Sequence, residues 1–297
     1  MSYRIGIDLG GTKTEIMVLG PGGEAILCRR VATPAGYGQA LEAMAALVRQ
    51  AEEEIGARAS GGVGIPGSIS PATGLVKNAN SNALNGHPFD RDLGALLGRE
   101  VRVANDANCF ALSEASDGAA AGAGVVFGVI LGTGCGGGIV VNGRILEGRH
   151  RLAGEWGHTP LPWPRLDEMP LRPCWCGLSG CMETYVAGPA LALECDGPGA
   201  RDASAIAARA GAGEAKAINA LATHAERLAR GLAAITNILD PDVIVLGGGL
   251  SNLPGLAAAL PPLMRPYIFS DTCAPNIVRN LHGDSSGVRG AAWLWPG

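Results

Sequence analysis

The feature that most limits what this chain can fold into is a long-range repeat. The stretches "RIGIDLGGTKTEIMVL" and "GVVFGVILGTGCGGGIVV" each read as strand, glycine turn, strand. Leu9-Gly10-Gly11-Thr12 in the first aligns with Leu131-Gly132-Thr133-Gly134 in the second, an offset of 122 residues. Similarity at that distance indicates duplication of one α/β unit and not a short-period solenoid. The segments between fit this reading. Residues 4–9 and 15–19 are predicted strands, and residues 39–55 carry helical spacing at Leu41, Met44, Leu47, Val48 and Ile55. "GGVGIPG" reads as a short buried strand entering a loop, and "VRVAND" as a strand from which "ANCFALSEA" opens a helix. An amphipathic helix is predicted near 214–238, then a strand in "PDVIVLGGGLSN", then a last helix in "GDSSGVRGAAWLW" capped by Asp284 or Ser285.

Paired glycine turns suggest a phosphate cradle, because glycine lets backbone N–H groups approach an oxyanion closely. Neither turn is a Walker A loop, since the Gly-Lys-Ser/Thr pattern is missing. A GxGxxG match at Gly132–Gly137 fails its context, because a strand and an Asn-Gly hairpin turn follow it instead of a helix. Ordinary hairpins explain either turn alone. They explain the pair poorly, since "DLGGTKT" also carries an Asp, two Thr and a Lys.

Composition bounds the rest. The 297 residues are 47% hydrophobic and 17% charged, far from a disordered profile and sufficient for one large domain or two moderate ones. A net charge of −4 without basic runs argues against nucleic-acid and membrane-surface partners. "MSYRIGIDLGG" lacks the charged and apolar regions of a signal peptide, and no unbroken apolar run is long enough to span a bilayer. A cytoplasmic location is therefore expected. There, clustered cysteines are more often metal ligands or catalysts than disulfides. Of the eight cysteines, Cys28, Cys109, Cys135, Cys195 and Cys273 are scattered and read as small buried apolar residues. Cys174, Cys176 and Cys181 crowd into "CWCGLSGCME", with His158 sixteen residues upstream. One His and three Cys make a complete tetrahedral zinc set, although C-x-C-x4-C is not the common zinc spacing and a local disulfide remains the alternative. Asp106, just after a strand, is either a reactive carboxylate or a helix cap. Asp8 is either a cation ligand or a turn residue. Singly, Glu155, His158 and Glu183 would read as solvated surface groups.

Taken together, "IGIDLGGTKT", "NDANC", "LGTGCGGG", "GEWGH", "CWCGLSGCME" and "DVIVLGGG" resemble the ROK family (repressor, open reading frame, kinase) in order and spacing, over essentially the whole chain. The resemblance implies an actin/hexokinase-like (ribonuclease H-like) duplicated α/β fold, with two lobes and an active site in the cleft between them. The expected lobes are residues 1–104 plus 283–297 and residues 105–282. It implies ATP and Mg²⁺ bound through Gly6, Asp8, Gly10, Gly11, Thr12 and Lys13 in the first turn region. In the second it implies Gly132, Thr133, Gly134, Gly136, Gly137 and Gly138, with Gly247, Gly248 and Gly249 near the adenosine end. Asp106 becomes the expected proton acceptor, and Asn105, Asp106, Glu155, His158 and Glu183 the sugar-binding residues. The resemblance also makes His158, Cys174, Cys176 and Cys181 ligands of a structural Zn²⁺, and it implies a homodimer.

Two function classes follow, a sugar kinase and a sugar-responsive repressor. A repressor of the family begins with a helix-turn-helix, whereas this chain enters its first glycine-turn strand at Arg4 and has no basic patch. The kinase is expected. "GIPGSISPATGLVKNANSNALNG", "TPLPW" and "HGDSSGVRGAAWLWP" are most similar to the family's bacterial fructokinases of the mannofructokinase type. "CFALSEA" and "ILGTG" also resemble its N-acetylglucosamine kinases. Fructose is the expected acceptor, with N-acetylglucosamine, glucose and mannose as rivals.

Overall fold

The structure is a computed structural model that describes residues 2–79 and 83–295. Asn80, Ser81 and Asn82, part of the stretch compared with fructokinases, lie outside the described residues, as do Met1, Pro296 and Gly297. The chain divides into two compact units: Met1–Gly122 with Gly138–Ala153 and Leu281–Gly297, and Ala123–Gly137 with Gly154–Asn280.

The first unit contains β1 (Arg4–Leu9), β2 (Lys13–Leu19), β3 (Ala25–Ala32), α1 (Tyr37–Ile55), β4 (Ser60–Ile65), β5 (Ser68–Ile69), β6 (Val76–Lys77), α2 (Phe89–Leu97), β7 (Val101–Asn105) and α3 (Asp106–Ser116). Its sheet runs β3-β2-β1-β4-β7. The β1–β2 pair is antiparallel, which sets Asp8 opposite Glu15, and β4 and β7 join in parallel. Ile5, Ile7, Val63 and Ile65 of the sheet share a core with Leu41, Met44 and Val48 of α1, the face given by the helical spacing.

The second stretch of chain supplies β8 (Val125–Leu131), β9 (Cys135–Val141), β10 (Arg144–Ile145), α4 (Glu183–Val186), α5 (Gly188–Asp196), α6 (Ile206–Gly211), α7 (Ala215–Leu239), β11 (Val243–Gly247), α8 (Leu256–Met264) and β12 (Ile277–Arg279). Its sheet runs β10-β9-β8-β11-β12. Strand by strand this repeats the first sheet, with β8 in the place of β1 and β11 in the place of β4, so the repeat read from two glycine turns extends to the topology of both sheets. In α7, Arg227 and Arg230 are buried, and Glu168, shared by both, offsets their charge together with Glu194 on Arg227 and Glu226 on Arg230. Arg227 Nε donates to Glu168 Oε1 at 2.8 Å and Arg230 Nη1 to Glu168 Oε2 at 3.0 Å.

The unit boundaries differ from the expected lobes. The helix α3 and residues 138–153, expected in the second lobe, group with the first unit, whereas the last helix, α9 (Ser286–Trp293), lies in the unit to which the expected lobes assign residues 283–297. Close backbone approach is the physical reason. A Cβ on Gly290 would lie 1.7 Å from Cys109 O, and one on Gly6 would lie 1.9 Å from Val288 O. Glu114 of α3, fully buried, accepts from Leu281 N at 2.9 Å and from Ser286 Oγ at 2.8 Å. Ser285 occupies the N-cap position of α9, but its hydroxyl donates to Glu15 Oε1 at 3.2 Å instead of capping the helix. Among the scattered cysteines, Cys109, Cys135 and Cys195 are buried as expected, Cys273 is half-buried and Cys28 is exposed.

Candidate active site

In the first unit, the turn after β1 is tied by Gly10 N donating to Lys13 O at 3.0 Å. Thr33 buttresses it. Its hydroxyl donates to Gly10 O at 2.8 Å and accepts from Thr14 Oγ1, also at 2.8 Å. Thr12 and Lys13 are exposed at the tip. Asp8 stands at the end of β1, where burial first, and then the charges of Asp106 and Glu15, push its carboxyl up to about 6. Glu15 is balanced by Arg30, whose Nε donates to Glu15 Oε2 at 2.9 Å. Asp8 and Asp106 thus form an acidic pair that a cation would relieve, and this fits Mg²⁺.

The N-cap of α3 is Asn105, not Asp106. Asn105 Oδ1 accepts from Ala107 N at 2.9 Å, and its Nδ2 donates to Gly67 O at 3.1 Å. Asp106 is the first helical residue, and its Oδ1 shares the Ala107 N–H at 2.8 Å. Its carboxylate thus lies at a helix N-terminus, where the dipole favours the anion.

In the second unit, the turn after β8 is tied by Gly132 N donating to Gly134 O at 3.0 Å and by Gly188 N donating to Gly132 O at 2.8 Å. Gly132, Thr133, Gly188, Arg201, Gly249 and Asn252 line a cavity of about 660 Å³, a size that suits a small-molecule site. Gly132 and Thr133 of the turn after β8 and Gly249 after β11 therefore share one cavity, which Gly247 and Gly248 do not line.

Glycines separate by what their missing side chains would meet. A Cβ on Gly6 would strike α9, one on Gly137 would lie 2.6 Å from Trp156, and one on Gly138 would lie 2.5 Å from Ala107 O. Packing alone accounts for glycine at these three positions. Gly11, Gly132 and Gly249 would meet nothing within 4 Å. Nothing inside the protein requires glycine there, whereas a ligand phosphate close to the backbone would.

The cysteine knuckle assembles through local pairing. Leu161 N donates to Gly180 O at 2.8 Å and Met182 N to Thr159 O at 2.9 Å, which brings the His158 segment beside Cys181. The ligand atoms of His158, Cys174, Cys176 and Cys181 all lie within 4.8 Å of one another. Cys176 Sγ is 3.6 Å from Cys181 Sγ, and Cys174 Sγ is 3.7 Å from His158 Nδ1. That sulfur separation is far beyond a disulfide bond. It matches the roughly 3.7 Å edge of a tetrahedron built on Zn–S bonds of about 2.3 Å, so the four side chains fit a metal ion. Burial, and then hydrogen bonds with Cys176 and Cys174, push the Cys181 thiol up to about 12, whereas the backbone at Leu178 holds the Cys176 thiol below its usual value.

Glu183 lies between the knuckle and the turn after β8. Its Oε2 accepts from Cys135 N at 3.0 Å, and its Oε1 accepts from Trp175 Nε1 at 2.7 Å. A Cβ on Gly134 would lie 2.7 Å from Glu183 Oε2, so this carboxylate rests on the glycine turn itself. Glu155 is exposed and begins the short 3-10 turn Trp156–His158.

A family model described as the ROK family matches residues 4–297. The chain belongs to the ROK family. It is 42% identical, over 98% of its length and 99% of the relative's, to an N-acetyl-D-glucosamine kinase of Pasteurella multocida. The ROK hexokinase from Thermus thermophilus has a TM-score of 0.86 at 34% identity, covering 98% of this chain and 97% of that one. A ROK family glucokinase from Streptomyces griseus, solved with glucose and AMPPNP, has a TM-score of 0.78 at 28% identity and 98% coverage of both chains. The α/β fold of this ROK protein is thus that of the hexokinase-like sugar kinases. No helix among its described residues is long and apolar enough to cross a membrane. Sequence reading of this ROK chain missed Thr33, Trp175 and the Cys135 N–H, because a buttressing hydroxyl, an exposed ring and a backbone donor carry no motif.

Proposed function

We propose that the protein is an ATP-dependent sugar kinase whose acceptor is N-acetyl-D-glucosamine. The observation that carries the acceptor is the 42% identity along almost the whole chain to a kinase named for that sugar. It displaces fructose, the acceptor expected from shorter stretches.

Phosphoryl transfer needs alignment, charge neutralisation and an acceptor for the hydroxyl proton more than covalent chemistry. Asp106 accepts the proton of the attacking hydroxyl, and Asn105 offers its second amide N–H to the sugar. Glu155, His158 and Glu183 bind the remaining hydroxyls, each carboxylate oxygen having two lone pairs. His158 turns Nδ1 to the cysteines, which leaves Nε2 for the sugar. Gly10, Gly11, Thr12 and Lys13, with Gly132, Thr133, Gly134 and Gly136, hold the phosphates, and Gly247–Gly249 lie at the adenosine end. Asp8 holds Mg²⁺ directly or through water, and bound Mg²⁺ supplies the positive charge that the β- and γ-oxygens need. Zn²⁺, held by His158, Cys174, Cys176 and Cys181, is structural because all four ligands are protein groups. The chain is proposed to be a cytoplasmic homodimer, which light scattering checks.

A coupled ADP-release assay over N-acetylglucosamine, fructose, glucose and mannose tests the reading. N-acetylglucosamine is expected to give the highest kcat/KM, and only with Mg²⁺. A higher value for fructose reverses the acceptor assignment. No turnover with any sugar, Mg²⁺ and Zn²⁺ being present, overturns the kinase.

A further inference from the structure

We infer that Trp175 is a positioning residue for the sugar acceptor, holding the Glu183 carboxylate through its indole N–H. The inference rests on the sugar-kinase reading.

Trp175 stands between two of the clustered cysteines and is 73% exposed. A tryptophan usually contributes by burying its ring, and this one does not. Two directed contacts fix it instead. Its Nε1 donates to Glu183 Oε1 at 2.7 Å, and its ring meets the His158 ring nearly edge-on, with centroids 5.0 Å apart at 85°. Both neighbours are residues assigned above to the sugar. Glu183 is also held from the other side by Cys135 N. Each carboxylate oxygen therefore has one protein donor and keeps a lone pair for a sugar hydroxyl.

Without the indole, Glu183 Oε1 has no fixed partner on the knuckle side, and the side chain regains rotamers that do not face the acceptor. Binding then includes the cost of reordering it. The effect belongs to acceptor affinity. Nucleotide affinity and metal binding do not depend on this N–H.

Trp175→Phe keeps a ring and deletes the donor. Expected is an approximately tenfold rise in KM for the sugar, kcat within about twofold, unchanged KM for ATP, and the wild-type metal content by elemental analysis. A double-mutant cycle isolates the contact. In a Glu183→Ala background, which removes the hydrogen-bond acceptor, Trp175→Phe is expected to raise sugar Kd, measured by calorimetry, by less than about twofold. An active wild type with a Trp175→Phe variant of unchanged sugar KM overturns the inference alone. So does an equal penalty in both backgrounds, or loss of metal from the single variant. A wild type that phosphorylates no sugar overturns the underlying kinase reading first.

Discussion

The turn at Gly10–Thr12 and the turn at Gly132–Gly134 begin from the same backbone and end with different chemistry. Each follows the first strand of its sheet repeat, and each is closed by one N–H donated by its first glycine over 3.0 Å. Around the first stand acids, Asp8 and Asp106, with Lys13 beside them. Around the second there is a cavity of about 660 Å³ and a carboxylate, Glu183, already held by two donors. Duplication repeated the cradle. The chemical difference comes from what was built next to each copy: α3 with its N-terminal Asp106 in one unit, the cysteine knuckle and α4 in the other.

The largest expected break in this comparison is on the acidic side. Asp106→Asn keeps size and hydrogen bonding but cannot take a proton. Loss of a general base costs on the order of 10² to 10⁴ in rate. Turnover is expected to fall by that much while sugar Kd, by calorimetry, stays within a few-fold. Near-normal turnover would reduce Asp106 to a helix N-terminal acid and move the reactive group elsewhere.

Metal removal acts on the other side. Cys176→Ser, or thorough chelation, is expected to lower the melting temperature and, through weaker sugar binding, to cost about 10- to 100-fold in activity, the range for losing support around a metal site. Nucleotide binding stays largely intact. His158→Ala is expected to do more than Cys176→Ser, since it removes a metal ligand and a sugar contact together. One equivalent of zinc per chain is the expected content. A zinc-free protein with unchanged sugar affinity would separate the knuckle from the site.

Much of this was legible before any coordinates, and the pattern of omissions is physical. The segments β1, β8 and β11 are short, aliphatic and bounded by glycine, so they announce themselves. The helix α1 has clean spacing. The edge strand β3 does not, because one residue of its eight is buried, so it lacks alternation. The helix α8 is obscured by Pro261 and Pro262 in its interior. The four side chains that could hold a metal were visible as residue types, but their convergence depends on pairing between residues 159–161 and 180–182. The acceptor was not legible, because hexoses differ by the orientation or substitution of single carbons. Nor does sequence show whether a glycine makes room for a ligand or for a neighbouring backbone, as at Gly6 and Gly138.

That distinction sharpens the comparison at smaller magnitude. Gly11 and Gly132 sit one step apart in the aligned turns, where Gly132 matches Gly10 and Gly11 matches Thr133, and an added methyl meets no protein atom at either. Gly11→Ala and Gly132→Ala are expected to melt within about 1 °C of wild type and yet raise the KM for ATP about tenfold, because the methyl takes the space a phosphate oxygen uses. Equal ATP affinity in both variants would reduce the turns to ordinary hairpins. A loss confined to one would show that the repeat kept its shape in both copies and its function in one.

The smallest expected effect is the response of the two units to acid. Asp8 in the first is pushed up to about 6, chiefly by burial and by Asp106, whereas Glu168 in the second is held at about 2. Burial alone would raise Glu168, but hydrogen bonds from Arg230, from the Arg165 backbone and from Arg227 outweigh it. The stability consequences have opposite signs. With a folded pKa above its unfolded value, cation-free Asp8 makes the fold more stable as pH falls through 6 toward the ordinary carboxylate range. With a depressed folded pKa, Glu168 contributes stability that is complete above about 4.5 and is lost only as pH falls from there toward 2. Between pH 7 and 5 the fold therefore loses nothing from either group, while Asp8 gains a proton and stops holding a cation. At limiting Mg²⁺, activity is expected to drop about twofold at pH 6 and roughly tenfold at pH 5, while the melting temperature falls only by what His224, kept uncharged by burial, loses over that range. Raising Mg²⁺ moves the midpoint to lower pH, because cation and proton compete for one carboxylate. A midpoint indifferent to Mg²⁺ would take Asp8 out of the cation site, and a melting temperature falling in parallel with activity would make the loss one of folding.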